Sequence, residues 1–382
     1  MKILHVSPGF YPATYYGGPI FSTYALCNAL ARFPDVELRV LTSDMAGPAI
    51  SQRIPVTDVP LRFPGYDVYV TRRVMRPDIA PGLLSRLWEM VGWADVILLT
   101  GIYSFPTIPT LVVSKIQRKP IVLSPRGSLK ASHDWADAKR QRLKRAWEAI
   151  CRAATPSRCL LHVTTNLERD ASLARMPGLT ARVVSNGVDV PCKLPEREWR
   201  PAGLMRLMTL GRLDPVKGLE NLLRALPNLG QHVTLDLYGT GDTDYVASLC
   251  KLVSDLGVGD RVTFHGHVED DEKRRAYFGA DLLVLPSHTE NFSMVVAEAL
   301  AHGLPAIVSR GAPWEELETK GCGLWVSNEP DVLAEAIVAL QDSDLASMGA
   351  HGRLWMQSEF SWDSKAREMM GLFEECLTCP PA

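Results

Sequence analysis

Short apolar runs alternate with longer amphipathic segments along nearly the whole chain. A buried parallel strand is a short apolar run, and the amphipathic segments between such runs have the length of helices. The alternation therefore predicts an α/β protein with parallel sheets covered by helices. The runs predict strands at 3–7, 38–42, 66–70, 96–100, 121–124, 160–164, 182–185, 206–210, 233–238, 262–265, 282–286 and 306–309.

The strand and helix pattern occurs in two similar halves, and it lapses in a proline-rich polar stretch between Pro191 and Pro201. We place the boundary there, which predicts a first domain over 1–196 and a second over 197–360. The segment 359–362 predicts a break before a last helix over 361–382. Since doubly wound sheets bind ligands at the carboxyl ends of their strands, the loops that follow strands are the candidate sites.

Composition narrows the function classes. Hydrophobic residues are 46% and charged residues 22% of the 382 residues, which are ordinary values for a globular protein. With 41 Lys+Arg against 43 Asp+Glu the net charge is -2, which predicts no nucleic-acid partner. Eight scattered cysteines suit a reducing compartment, and no apolar run is long enough to span a membrane. These features predict a cytoplasmic protein.

The neutral total conceals one basic stretch. Residues 126–158 contain nine Lys and Arg against three acidic residues. Residues 139–152 predict a basic helix with Leu143, Trp147 and Ile150 toward one side, which could lie on an anionic membrane surface and make the protein peripheral to the cytoplasmic face. Alternatively, the apolar stripe faces the core and the basic side is solvated.

Two loops after predicted strands carry groups suited to an anion. Gly17 and Gly18 precede a helix predicted from residue 20, where backbone N–H groups can approach a phosphate closely. Arg212 and Lys217 lie in the loop 211–218 and could grip a diphosphate. The alternatives are a plain turn for the glycines and solvated surface charges for the two cations.

The segment 287–300 is the most informative. It follows an apolar strand and enters a helix whose first turn is predicted to contain residues 292–294. Glu290 and Glu298 lie eight residues apart, and two carboxylates at that separation could hold a hexose and a ribose by their hydroxyls. Alternatively, Glu290 caps the helix and Glu298 is solvated. Because the helix around Glu298 is apolar, an unpaired carboxylate would be costly there.

These features together resemble glycosyltransferase family 4, the glycosyl transferases group 1. The resemblance is carried by Glu290-x7-Glu298, Gly211-Arg212-x4-Lys217-Gly218, the pair Gly17-Gly18 and the segment 185–189. It implies a GT-B fold, with two doubly wound Rossmann-like domains facing across a cleft. The first domain would bind the acceptor, the second would bind a nucleotide-sugar donor, and the last helix would cross back to the first domain.

The resemblance also implies residue roles. Glu290 would bind the hydroxyls of the donor sugar, Glu298 the ribose, and Arg212 with Lys217 the diphosphate. Backbone groups would complete the donor site from both domains, at Gly17, Gly18, Gly211, Gly239, Asn291, Phe292, Ser293 and Met294.

One position departs from the family. Many members carry a histidine that contacts the transferred sugar where this chain has Arg126. A guanidinium cannot act as a general base. Arg126 therefore either binds an anionic sugar or acceptor, or is structural, and His133 is the nearby substitute.

The implied reaction is retaining transfer of a hexose from a UDP- or GDP-sugar to a glycan or lipid-linked acceptor, in bacterial-type surface polysaccharide assembly. The donor is a substrate, so neither a cofactor nor a metal is expected, and Asp242-x-Asp244 is predicted to cap a helix rather than bind a metal. Rival hypotheses are an NAD-dependent oxidoreductase, disfavoured by the missing G-x-G-x-x-G, a nucleotide-sugar epimerase, and a non-catalytic sugar-nucleotide-binding subunit.

Overall fold

The computed structural model describes residues 1–47, 49–57, 59–75, 79–130, 138–200 and 203–378, with only the backbone at 16 and 138–140. The chain divides into two compact units. The first comprises Met1–Gly187 and the chain from Trp362 onward, and the second comprises Val188–Ser361.

The first unit is an eight-stranded sheet in its described part, with strand order β3-β4-β2-β1-β5-β6-β7-β8. Neighbouring strands are parallel except for β3 against β4. Its elements are β1 Lys2–Ser7, α1 Gly18–Leu30, β2 Glu37–Ser43, β3 Leu61–Phe63, β4 Tyr66–Thr71, α2 Pro81–Trp93, β5 Val96–Thr100, α3 Thr107–Ile116, β6 Ile121–Ser124, α4 Ala138–Ala154, β7 Cys159–Val163, α5 Asn166–Arg175 and β8 Thr180–Val183.

The second unit is a six-stranded parallel sheet in its described part, with order β11-β10-β9-β12-β13-β14. Apolar side chains cover both faces, since Leu207 and its neighbour Met208 enter two different cores. Its elements are β9 Met205–Leu210, α6 Leu219–Ala225, β10 Val233–Tyr238, α7 Thr243–Asp255, β11 Val262–Gly266, α8 Asp270–Gly279, β12 Leu282–Leu285, α9 Met294–Ala301, β13 Ala306–Ser309, β14 Gly323–Val326, α10 Pro330–Gln341 and α11 Leu345–Glu359.

The predicted α/β architecture with parallel sheets is confirmed. Each predicted strand is present, with small shifts at its ends, of which the largest places β8 two residues earlier than expected. The prediction missed β3 and β14, which lie at or next to a sheet edge and contain three and four residues. Runs that short carry little periodicity, so the pattern alone did not reveal them.

The division between the units falls after Gly187, rather than between residues 196 and 197 as predicted. The proline-rich stretch packs on the second unit instead of forming a linker. The N–H of Val188 donates to the carbonyl of Phe360 at 2.7 Å, and Arg197 donates to the carbonyl of Tyr277 at 2.9 Å. Burial lowers the pKa of Arg197 to about 10. The polar composition of this segment predicted a linker, but hydrogen bonds to distant residues hold the segment in place.

The last helix, α12 Trp362–Thr378, belongs to the first unit and packs against α1. It follows the break predicted at 359–362, because α11 ends at Glu359. A Cβ at Gly187 would lie 2.6 Å from the Trp362 ring, so the tryptophan requires a glycine there. Among the described helices, none combines the length and apolarity that crossing a bilayer requires.

Candidate functional site

The loops after β9 and β10 are joined at the carboxyl edge of the second sheet. The N–H of Gly211 donates to the carbonyl of Tyr238 at 3.0 Å, and that of Leu213 donates to the carbonyl of Thr240 at 2.8 Å. Gly239 has φ +134°, and a Cβ there would lie 1.8 Å from the carbonyl oxygen of Gly211. The predicted glycines Gly211 and Gly239 are therefore in direct contact, and only glycine fits at 239.

The loop after β9 also packs on the loop after β12. Asp214 accepts a hydrogen bond from the N–H of Val216 at 3.1 Å and caps the short 3₁₀ turn Pro215–Lys217. Gly218 follows with φ +60°, and a Cβ there would lie 2.4 Å from the carbonyl oxygen of Pro286. Because Gly218 lies so close to Pro286, the adjacent Lys217 reaches the loop that contains Glu290.

Lys217 and Glu290 form an ion pair. Lys217 Nζ donates to Glu290 Oε1 at 2.6 Å, and the buried Ser287 hydroxyl donates to the same oxygen at 2.8 Å. The two charged side chains are 21% and 13% exposed, so water screens their attraction only in part. The N–H of Glu290 donates to the carbonyl of Gly311 at 2.8 Å and fixes its backbone. The structure thus brings together the residues predicted for the diphosphate and the sugar.

Arg212 lies on the outer side of the same loop. Its side chain is 73% exposed, and Nη2 is 3.4 Å from Asp214 Oδ2. An exposed ion pair of this kind contributes little to stability, so the guanidinium can change partner at small cost. Arg212 and Lys217 therefore share a loop but have different surroundings.

The start of α9 is held by aromatic packing. Phe292 is buried, its ring lies 5.2 Å from that of Trp314, and its carbonyl accepts a hydrogen bond from Trp314 Nε1 at 2.6 Å. Ser293 has φ +67°, and the helix begins at Met294, so Asn291, Phe292 and Ser293 precede the helix. The prediction that residues 292 and 293 lie within the first turn is wrong, because this left-handed residue delays the helix. The first turn of α9 still begins at this edge, where the N–H of Val296 donates to the carbonyl of Ser293 at 3.2 Å.

Glu298 has the partners that its position in an apolar helix demands. Lys273 Nζ donates to Oε1 at 2.7 Å, and the Tyr277 hydroxyl donates to Oε2 at 2.7 Å. Burial and the adjacent carboxylate raise the pKa of Tyr277 well above its usual range, which keeps this hydroxyl a donor. Sequence inspection did not identify Lys273 or Tyr277, although their spacing of four places both on one side of α8.

The Asp-x-Asp segment caps a helix, as predicted. Asp242 Oδ1 accepts hydrogen bonds from the N–H groups of Asp244 at 3.0 Å and Tyr245 at 3.3 Å, at the start of α7. Within the described ranges, no group of three His, Cys, Asp or Glu side chains is arranged to hold a metal ion. Independence from metal stays a prediction.

In the first unit, α1 begins at Gly18, two residues earlier than predicted. Gly17 has φ +62° and ψ -129°, a conformation that favours glycine, and its carbonyl accepts from the N–H of Ile20 at 3.0 Å. The two glycines therefore form the helix start at the carboxyl end of β1, as expected of a backbone anion site. Binding of a phosphate there stays a prediction.

Arg126 lies beside a buried carboxylate rather than on an open surface. Its Nη1 donates to Asn186 Oδ1 at 2.6 Å, while Nε and Nη2 are buried without a hydrogen-bond partner among the described residues. Glu168 is fully buried and accepts from the N–H of Gly127 and from the N–H and hydroxyl of Thr164, both at 2.8 Å. Burial lowers the pKa of Arg126, and the negative charge of Glu168 opposes this shift. These contacts support the structural alternative for Arg126; His133 lies outside the described residues.

Two buried histidines also surround Arg126, and the sequence analysis did not identify them. His5 Nε2 lies 3.0 Å from Thr100 Oγ1, and His162 Nε2 lies 2.9 Å from the carbonyl of Val184. Burial, and secondarily the charge of Arg126, lowers the pKa of each to about 3. Both are therefore neutral near pH 7 and belong to the interior of the first unit.

The two parallel-sheet α/β units define a GT-B fold, which confirms the predicted fold class. Two solved structures support it over essentially the whole chain. HepE from Anabaena, solved in complex with UDP, has a TM-score of 0.73 at 20% identity and covers 98% of this chain and 100% of its own. Sucrose-phosphate synthase from Thermosynechococcus elongatus has a TM-score of 0.73 at 21% identity, with 100% of both chains covered.

Most of the second unit matches a known family model. Residues 205–343 match the family model described as Glycosyl transferases group 1. The match confirms the resemblance to the glycosyl transferases group 1 for the segment that contains the Arg/Lys loop and the paired glutamates.

Curated relatives match over part of their length. A GDP-mannose-dependent alpha-(1-6)-phosphatidylinositol monomannoside mannosyltransferase of Mycobacterium tuberculosis is 36% identical over 176 residues, which are 43% of this chain and 46% of the relative. An uncharacterized glycosyltransferase of Methanocaldococcus jannaschii is 32% identical over 179 residues, 44% of each chain. The aligned segment thus spans less than half the length of these relatives.

Proposed function

We propose that the protein is a retaining glycosyltransferase that moves a hexose from a UDP- or GDP-sugar to a glycan or lipid-linked acceptor, in bacterial-type surface polysaccharide assembly. The observation that carries the proposal is the Lys217–Glu290 pair at 2.6 Å, at the carboxyl edge of a sheet in a Glycosyl transferases group 1 domain. The mycobacterial relative is named for GDP-mannose and HepE was solved with UDP, so the proposal keeps both donor bases.

Each donor group has a proposed partner in the second unit. Glu290 accepts hydrogen bonds from hydroxyls of the sugar, and Glu298 accepts them from the ribose. Each carboxylate oxygen can accept two hydrogen bonds. Lys273 contacts both oxygens of Glu298 and Tyr277 donates to Oε2, so the two side chains fix the orientation of the carboxylate. Backbone N–H groups at 291–294, and the close backbones of Gly211 and Gly239, approach the phosphates.

The proposed reaction is a same-face displacement. The acceptor oxygen forms a bond to the anomeric carbon as the bond from that carbon to the diphosphate oxygen breaks, and the acceptor proton passes to the departing diphosphate. Charge therefore accumulates on the diphosphate in the transition state. Arg212 and Lys217 stabilise that charge, and the protein acts mainly by positioning both substrates.

The test replaces both cations. Arg212→Ala combined with Lys217→Ala should lower turnover roughly a hundredfold at saturating donor, the scale of one lost oxyanion donor. Arg224→Ala, an exposed arginine at the end of α6, is the matched control and should keep normal turnover. Normal turnover in the double variant would reject the diphosphate assignment.

A transferase, an epimerase and a non-catalytic binding subunit would give different products from the same nucleotide-sugar mixtures. Incubation with UDP- and GDP-sugars, with and without acceptor, should release nucleotide only when the acceptor is present. An isomerised donor without acceptor would indicate an epimerase, and binding without turnover would indicate a non-catalytic subunit. Full activity in excess EDTA is expected, and a strict metal requirement would contradict the metal-independent mechanism.

Three further assignments complete the proposal. Gly17 and Gly18 present backbone N–H groups to the donor phosphates. Arg126 has a structural role in the first unit, where it binds Asn186, and does not contact the transferred sugar. Residues 139–152 contact an anionic membrane surface, which would make the protein peripheral to the cytoplasmic face and would bring it to a lipid-linked acceptor.

A further inference from the structure

Three neighbouring helices of the first unit, α2, α3 and α4, form one layer. They pack side by side and bury residues in the same core, among them Leu87, Leu111 and Cys151. A helix that buries one side in a core turns its opposite side to solvent. The outer sides of the three helices therefore make a single continuous surface, which we name the α2–α4 face.

Each helix places two large apolar side chains on this face. Within a helix the two are separated by four or seven residues, which puts them on one side. Trp88 is 55% exposed, Ile116 61% and Leu143 66%, although residues of these types are usually buried. The six side chains are Leu84, Trp88, Val112, Ile116, Leu143 and Ile150.

Hydrogen bonds between the helices bring these side chains together. Gln117 Nε2 donates to the carbonyl of Trp88 at 2.9 Å, which joins the end of α3 to α2. Lys115 Nζ donates to the carbonyl of Ala153 at 2.7 Å, which joins α3 to the end of α4. Trp88, Ile116 and the last turns of α4 therefore lie at the same end of the face. Single exposed apolar side chains are common on protein surfaces, whereas six on the outer side of one helix layer indicate an interaction site.

The packing of α4 shows which side is outward. The predicted stripe of Leu143, Trp147 and Ile150 is divided, because Trp147 donates its indole N–H to the carbonyl of Ile102 at 2.6 Å. Leu143 and Ile150 remain exposed. The alternative in which the whole apolar stripe faces the core is therefore wrong for these two residues.

The charge of the α2–α4 face is positive. The three helices contain eight Lys and Arg against two Glu. One of the two, Glu148, is buried and paired with Arg175 at 2.9 Å. Arg142, Arg145 and Arg152 are exposed among the apolar side chains of α4.

We infer that the α2–α4 face is a docking surface for an anionic lipid bilayer, with Trp88, Ile116, Leu143 and Ile150 inserted at the interface and the arginines among the headgroups. The inference extends the proposed membrane contact of residues 139–152 to α2 and α3, and it adds apolar insertion to electrostatic attraction. A second copy of the chain is disfavoured, since a two-fold self-interface would set these positive charges against each other.

The first test measures co-flotation of the full chain with phosphatidylcholine vesicles, with and without phosphatidylglycerol. Wild type should bind the anionic vesicles, and added salt should weaken the binding. Trp88→Ser combined with Ile116→Ser should lower the partition coefficient by about tenfold or more, since two apolar side chains no longer leave water. Val338→Ser combined with Leu354→Ser, at positions 50% and 63% exposed in the second unit, is the matched control and should bind as wild type does.

A second measurement separates insertion from charge attraction. Tryptophan emission should shift to shorter wavelength on anionic vesicles, and Trp88→Phe should lose that shift while its far-ultraviolet circular dichroism stays unchanged. Equal binding by wild type and the Trp88/Ile116 serine variant would overturn apolar insertion by α2 and α3. Absence of wild-type binding, or a solution dimer that this serine variant dissociates, would overturn the bilayer as the occupant. None of these readouts depends on transferase activity.

Discussion

Each unit carries a cation and a carboxylate at the carboxyl edge of its sheet, and the two pairs are built differently. In the second unit, Lys217 and Glu290 contact each other directly and remain partly exposed. In the first unit, Glu168 is fully buried and accepts its hydrogen bonds from backbone and hydroxyl groups, while Arg126 donates to Asn186.

The difference indicates which charges can meet a ligand. The Lys217–Glu290 pair is accessible to a phosphate or a sugar hydroxyl, because solvent reaches both side chains. A buried carboxylate with backbone donors is fixed, since removing any member leaves an unpaired group in the interior. This contrast supports the proposed substrate contacts of the Lys217–Glu290 pair and the proposed structural role of Arg126.

The largest expected effect is on stability. Glu168→Gln should lower the free energy of unfolding by about 3–5 kcal/mol, because it leaves the Arg126 charge buried without a counter-charge. Glu290→Gln should lower it by only about 1 kcal/mol. Urea denaturation of both variants measures the contrast, and equal losses would break the comparison.

Turnover should show the opposite order. Lys217→Ala should lower kcat roughly a hundredfold, because it removes a cation that is proposed to stabilise the departing diphosphate. Arg126→Ala, assayed at a temperature where circular dichroism shows it folded, should keep kcat within about threefold of wild type, well under the loss expected for a group that stabilises the transition state. A hundredfold loss in the folded Arg126 variant would instead place this guanidinium on the substrate.

Acid should weaken the first unit through His5 and His162. Their folded pKa, about 3, lies below the ordinary value of 6.5, so the unfolded chain takes up protons first as the pH falls. The stability is complete above pH 6.5 and is lost below it, by about 2 kcal/mol per histidine on reaching about pH 5.

Urea denaturation at neutral pH and at about pH 5 measures this loss. His162→Gln removes one of the two titrating groups and should reduce the pH dependence by about half. The amide of glutamine can still donate to the carbonyl of Val184. A wild-type stability that is flat over this range would contradict the burial of both neutral rings.

The smallest effect concerns the orientation of Glu290. Ser287→Ala removes one hydrogen bond to Oε1 and should lower kcat about fivefold, corresponding to about 1 kcal/mol. Ser248→Ala on α7, whose hydroxyl donates to the carbonyl of Tyr245, is the matched control and should leave kcat unchanged. Equal kcat values for the two variants would show that Lys217 alone orients the carboxylate.

Most of the fold could be predicted because its signals are local. A buried parallel strand is a continuous apolar run, and β5, β6, β10 and β13 have the predicted bounds. Glycines at turns and a cation pair within one loop are equally local. The loops proposed to bind the donor could therefore be identified from the sequence without the contacts between them.

Two of the errors share a cause. The stretch 191–201 is polar and proline-rich, as linkers are, yet Arg197 fixes it to the rest of the second unit. The spacing of three apolar residues in α4 predicted that all of them lie on one side of the helix. Trp147 turns inward, whereas Leu143 and Ile150 are exposed. In each case a contact between residues far apart in the sequence decided the environment.

The sequence by itself determined the parallel α/β architecture, the loops that follow the strands and the charged groups that those loops carry, because hydrophobic periodicity and turn chemistry act over a few residues. Only the tertiary structure decided how the charges pair. Lys273 and Tyr277 hold Glu298 from another helix, and Glu168 lies next to Arg126 although 42 residues separate them. Burial and pairing depend on packing across the fold. Packing therefore determines that solvent reaches Lys217 and Glu290, whereas Glu168 beside Arg126 is buried.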